Sequence, residues 1–129
     1  QNFINQAKST SKEINFICGD IFEDIPLKKY NFIYDRGFIH NLPYVSFFKT
    51  FQLLYNKIKT NGLLVIITGH PSPKYSKYVI PPPTPVYEMI LGFKEYFNIK
   101  LIKEIRYELG KDYESNLGML YVLKKKINE

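Results

Sequence analysis

The chain has 129 residues, 45% of them hydrophobic and 23% charged, with a formal net charge of +6. This is the composition of one globular domain, and it excludes a fibre, a disordered tail or a disulfide scaffold. The longest apolar run, Leu63 to Ile67, is far short of the roughly 20 residues a membrane-crossing helix needs.

Gln1 to Ser11 places Phe3, Ile4 and Ala7 at helical spacing and ends in a polar run, so it reads as the last turns of a helix and its exit loop. With no Met at position 1 and no signal-peptide pattern, the chain is expected to be a fragment or a truncated gene product, a single partial domain over 1–129. Ile14 to Cys18 is a β-branched and aromatic run closed by Gly19-Asp20, the pattern of a strand with a turn at its carboxyl end. Cys18, the one cysteine, has no partner for an internal disulfide, fits a reducing, cytoplasmic setting, and reads as a small core residue. Ile21 to Pro26 follows as an acidic loop.

Tyr30 to Tyr34 is the second predicted strand, and it runs directly into Asp35, Arg36 and Gly37. A carboxylate at the carboxyl end of a buried strand sits at the rim where open α/β sheets bind ligands. Pro43 opens a helix through Lys59, because Phe47, Phe51, Leu54 and Ile58 share one face. Asn61-Gly62 has the residue types of a helix stop. Leu63 to Thr68 is apolar throughout, as in a strand covered on both faces.

Gly69 to Pro85 holds six of the eight prolines and reads as a long loop. Thr84 and Pro85 cap and open a helix with Val86, Ile90, Phe93 and Phe97 on its apolar face. Lys100 to Leu109 alternates like an edge strand, Gly110 to Asn116 is a polar turn region, and Met119 to Leu123 is the last strand, paired antiparallel with the one before. Two histidines, His40 and His70, follow predicted strands. Without clustered Cys or further carboxylates they make no metal site.

In this order, three stretches carry a family resemblance. Phe16 to Phe22 resembles the third strand and acidic turn of the class I S-adenosylmethionine-dependent methyltransferases. Tyr30 to Leu42 resembles their fourth strand and the segment after it, and Asn61 to Thr68 their fifth. The resemblance implies an α/β, Rossmann-like, mostly parallel sheet with a closing antiparallel pair, of family strand order 3-2-1-4-5-7-6. It also implies methyl transfer from S-adenosylmethionine to a small molecule. No Gly-x-Gly pattern occurs in the chain, so the first two strands and the glycine-rich cofactor loop are expected to be missing. The chain alone is expected to bind the cofactor weakly or not at all.

By the same resemblance Asp20, Ile21 and Phe22 lie against the adenine, and Asp35, Arg36 and Gly37 complete the cofactor contacts. Asp35 and His40 are the catalytic candidates, with positioning preferred to acid-base work for Asp35. His40, His70 and Tyr75 are the substrate-binding candidates, Tyr75 from a proline-rich loop that would overhang the site. The bland readings are a turn aspartate at Asp20, an Asp35–Arg36 ion pair, and surface histidines. Two other classes stay open, a fragment of another nucleotide-binding Rossmann enzyme and a non-catalytic module that associates through unpaired strand edges. The positive charge is scattered along the sequence with no basic stripe, which argues against a nucleic-acid partner, and no membrane role is expected.

Overall fold

The structure, a computed structural model, describes residues 2–10, 13–71, 84–106 and 117–127. Helix α1 spans Asn2–Thr10, strand β1 Tyr30–Arg36, a short 3-10 turn Ile39–Asn41 and helix α2 Tyr44–Lys57. Strand β2 spans Ile58–Gly69, helix α3 Val86–Phe93, strand β3 Phe97–Arg106 and strand β4 Leu117–Lys125.

The strands form one sheet of order β1-β2-β4-β3. β1 runs parallel to β2, while β4 is antiparallel to both of its neighbours. β1, β2 and β3 thus share a direction, and their carboxyl ends make one rim. Period-two alternation sends Leu64, Ile66 and Thr68 of β2 and Tyr121 and Leu123 of β4 into the core. The predicted helix face meets them there: Phe47, Phe51, Leu54 and, at the junction with β2, Ile58 are all at most 3% exposed.

An aromatic seam locks helices to sheet. Phe51 contacts Phe47 and Phe93 edge-on, with centroids 5.1 and 5.7 Å apart, and Phe93 reaches Tyr121 at 6.1 Å. α2 and α3 approach closely because Gly92 has no side chain: a Cβ there would lie 2.3 Å from Phe47 Cε1.

Several sequence expectations are corrected. Ile14 to Cys18 is in no strand, and Ile14, Ile17 and Cys18 are exposed. A β-prone run gains its hydrogen bonds only from a neighbouring strand, and β1 pairs on one side only among the described residues. The sheet is therefore mixed, with one parallel pair. Cys18 is correspondingly not a core residue. α2 stops at Lys57 with Ile58 already extended, and the left-handed Asn61 (φ 65°) shapes an irregularity in β2 rather than a helix end. β2 is buried on one face only, since Leu63, Val65 and Ile67 are half-exposed. Pro85 itself, and not Thr84, takes the cap position of α3. Phe97 begins β3 and is nevertheless buried. Tyr107 to Asn116 lies outside the described residues.

The seam sets a stability prediction. Gly92→Ala forces a methyl against the Phe47 ring and is expected to cost about 1–3 kcal/mol, read as a lower urea midpoint at unchanged slope. An unchanged midpoint would show that α2 and α3 are not packed this tightly.

Candidate functional site

The rim begins where β1 ends. Asp35 pairs with Ile66 and Arg36 with Ile67 on β2, and the Gly37 amide adds one more bond, donating to Ile67 O at 3.0 Å. Gly37 then turns the chain with φ +82°, a left-handed conformation that side chains resist. The next residues fold back over the strand end, and the Asp35 side chain holds them. Its Oδ1 accepts from the Phe38 amide at 3.1 Å and its Oδ2 from the Ile39 amide at 3.2 Å. The Asn41 side-chain amide closes the turn on Gly37 O.

Asp35 is 9% exposed. Burial pushes its carboxyl above the ordinary range, and the two backbone hydrogen bonds pull in the opposite direction. The groups that satisfy it are backbone amides. Arg36, its neighbour along the strand, points to the other face and is exposed. The Asp35 carboxylate is thus an internal clamp.

His40 lies inside the clamped turn at 8% exposure, its ring beside Gly37, whose Cβ position is 3.7 Å from His40 Cε1. Nδ1 is buried with no hydrogen-bond partner, and Nε2 is not among the buried unpaired atoms. An imidazolium would bury an N–H without an acceptor, and burial accordingly lowers the pKa of His40 below 6.5. With no acceptor at Nδ1, the neutral tautomer protonated on Nε2 is the one that buries no unpaired N–H.

His70 follows β2 at the same rim but is drawn toward the opposite edge of the sheet. Its Nε2 lies 2.9 Å from Glu104 Oε2 on β3. β4 separates the two strands, with Thr68 and Glu104 both opposite Met119. Glu104 escaped the sequence reading because alternation places it on an edge strand without showing what it reaches across β4.

The Asp20 turn is built separately. Asp20 Oδ1 accepts from the Phe22 amide at 2.7 Å, and the Asp20 amide donates to Asp24 Oδ2. This is the turn-forming aspartate pattern. The loop leads downward: Ile21 and Ile25 share an apolar cleft of about 270 Å³ with Tyr30, Phe32, Ile33 and Leu54, beside the amino half of β1. Among the described residues no hydrogen bond joins this turn to Asp35, Gly37 or His40. Tyr75 and most of the proline-rich loop lie outside the described residues. No group of three or more His, Cys, Asp or Glu among those described is placed to hold a metal ion, and no described helix is long and apolar enough to cross a membrane.

No family model matches the sequence, and no curated protein matches it. Solved structures do match the fold. The N-methyltransferase NodS of Bradyrhizobium japonicum WM9, in complex with S-adenosyl-L-homocysteine, superimposes with TM-score 0.72 at 11% identity, over 95% of this chain and 61% of that one. An S-adenosylmethionine-dependent methyltransferase of Clostridium acetobutylicum ATCC 824 gives 0.67 at 12%, over 92% and 68%. TehB of Haemophilus influenzae gives 0.66 at 16%, over 97% and 46%. This is the class I methyltransferase fold. The chain spans between about half and two thirds of the length of these structures. Its β1-β2-β4-β3 corresponds to the 4-5-7-6 end of the strand order expected from the sequence.

The buried, neutral His40 sets the acid behaviour. Because its folded pKa is depressed, its contribution to stability is complete above 6.5 and is lost as pH falls through the folded value. The raised Asp35 works in the opposite sense nearer 3.8. Thermal melting between about pH 7 and pH 5 is expected to fall for the wild type and to fall less for His40→Gln. Parallel curves would place His40 in water.

Proposed function

We propose that this chain forms the acceptor side of an S-adenosylmethionine-dependent methyltransferase site that acts on a small molecule. The observation that supports this most is the clamped turn Asp35 to His40 at the carboxyl end of β1, on a sheet of the methyltransferase order. Structures sharing the fold are methyltransferases by name, one of them in complex with S-adenosyl-L-homocysteine.

The described residues do not fit S-adenosylmethionine as a complete site. Asp20 already serves its own turn, and Ile21 packs beside the amino half of β1. The sequence has no Gly-x-Gly loop to approach the cofactor closely. Asp20, Ile21 and Phe22 on the adenine side, and Arg36 and Gly37 beside the methyl donor, remain assignments proposed from the resemblance.

The chemistry proposed for this chain is orientation. Methyl transfer to a nucleophilic atom requires alignment and exclusion of water more than acid-base catalysis. Asp35 is a positioning residue, since its oxygens hold the backbone that carries His40. His40 presents Nε2–H to an oxygen of the acceptor and, staying neutral, brings no competing charge. Exposed Tyr34 and Phe38, 52% and 45% accessible, supply apolar contact around the acceptor. His70, oriented by Glu104, contributes a second polar group, with Tyr75 from the loop above.

The edge of β1 that is unpaired among the described residues, with Phe32 and Tyr34 more than half exposed, favours a second reading in which the chain associates through that edge. The two readings separate in one titration. With 15N-labelled protein, S-adenosyl-L-homocysteine is expected to shift the amides of Gly37 to His40 with a dissociation constant weaker than about 1 mM. Micromolar affinity would contradict the half-site reading. Saturation without shifts at the rim would contradict the methyltransferase reading.

A further inference from the structure

The lysines that look scattered along the sequence are gathered by the fold. Lys28 and Lys29 enter β1, Lys59 begins β2, and Lys124 to Lys126 end β4. The register brings these ends together: Tyr30 lies opposite Ile58, Leu63 opposite Lys124, and Phe97 opposite Lys125. All are at the end of the sheet away from the rim, which is about 23 Å distant along the seven residues of β1.

Part of this positive charge is structural. Lys125 Nζ donates to Ile58 O at 2.8 Å and sits 4.4 Å from the Tyr55 ring centroid. Lys57 Nζ donates to Pro26 O at 3.0 Å, and Lys126 Nζ to Lys94 O. Lys28, Lys29 and Lys59 are exposed and Lys124 is half-buried, and no ion pair joins any of these lysines to a carboxylate among the described residues. Among the described carboxylates, Glu23, Asp24 and Glu95 are exposed. Burial and, second to it, repulsion from Lys29 lower the pKa of Lys125.

A second feature coincides with the first. Leu27, immediately before Lys28, is 100% exposed, and Ile127, immediately after Lys126, is 64% exposed. Two apolar side chains projecting among lysines match the way a peripheral protein lies on a lipid surface, the cations at the headgroups and the apolar tips at the acyl boundary. A nucleic acid would use the lysines but has no use for Leu27 and Ile127. The tyrosine rings that could stack on bases, Tyr30 and Tyr55, are already covered by Lys28 at 5.1 Å and by Lys125.

We infer that the lysine-rich end of the sheet is a docking surface for an anionic lipid membrane, with Leu27 and Ile127 as its apolar tips. Docked this way, the protein lies on the membrane without spanning it. Its rim faces away from the lipid, open to soluble acceptors.

Co-sedimentation with vesicles tests this. Phosphatidylcholine vesicles containing phosphatidylserine are expected to bind the protein at least about tenfold more tightly than phosphatidylcholine alone, with affinity falling as salt rises. The double change Lys28→Glu and Lys29→Glu is expected to weaken binding by roughly tenfold or more. Leu27→Ser is expected to weaken it severalfold while leaving the salt dependence intact. Both sites are exposed, and unchanged circular dichroism confirms that the variants fold. Absence of phosphatidylserine-dependent binding overturns the inference. So does binding insensitive to Leu27→Ser together with equal retention of an RNA oligonucleotide, which would make the surface a general polyanion site.

Discussion

The rim depends on one buried carboxylate. Asp35 leaves water at the end of β1, which on its own would cost free energy, and it recovers that cost through the amides of Phe38 and Ile39. Those two bonds fix the turn, the turn fixes His40, and the confinement of His40 determines which nitrogen carries its proton. In the turn so built, the Asp35 carboxylate holds backbone amides, and the His40 ring is buried with its pKa lowered. The proposed role of this turn, orienting an acceptor, rests on this chain of contacts.

What the sequence shows clearly is what local periodicity decides. Phe47, Phe51, Leu54 and Ile58 read as one helical face because their spacing is helical, and all of them are core. The apolar run from Leu63 reads as a strand, and its place between β1 and β4 gives the expected order. The failures are nonlocal. Ile14 to Cys18 has strand chemistry, but strand formation is completed only by a neighbour. Asn61 has the conformation expected of it, but the chain spends it on a strand irregularity, since Ile58 is already paired with Tyr30. At the site, Asp35 was legible from its position at a strand end. Its partners were not, because backbone amides carry no sequence signal. Glu104 meets His70 only because β4 brings β3 into place.

The same sheet separates two kinds of surface. At the carboxyl ends of β1, β2 and β3 lie Asp35, His40, His70 and Glu104. At the other end lysines dominate, drawn together by the pairing of strands whose lysines are up to about a hundred residues apart in sequence. One sheet face is sealed by α2 and α3 through the aromatic seam, and the other keeps Phe32, Tyr34 and Leu101 at least 42% exposed.

The measurement that bears most directly on this account is amide hydrogen exchange at Phe38 and Ile39. If the Asp35 carboxylate holds the rim, these two loop amides exchange as slowly as those of the β1–β2 ladder. Exchange as fast as that of the exposed Asp20 to Pro26 loop would mean that the turn is not clamped and that His40 is not held in the state from which the proposed function follows.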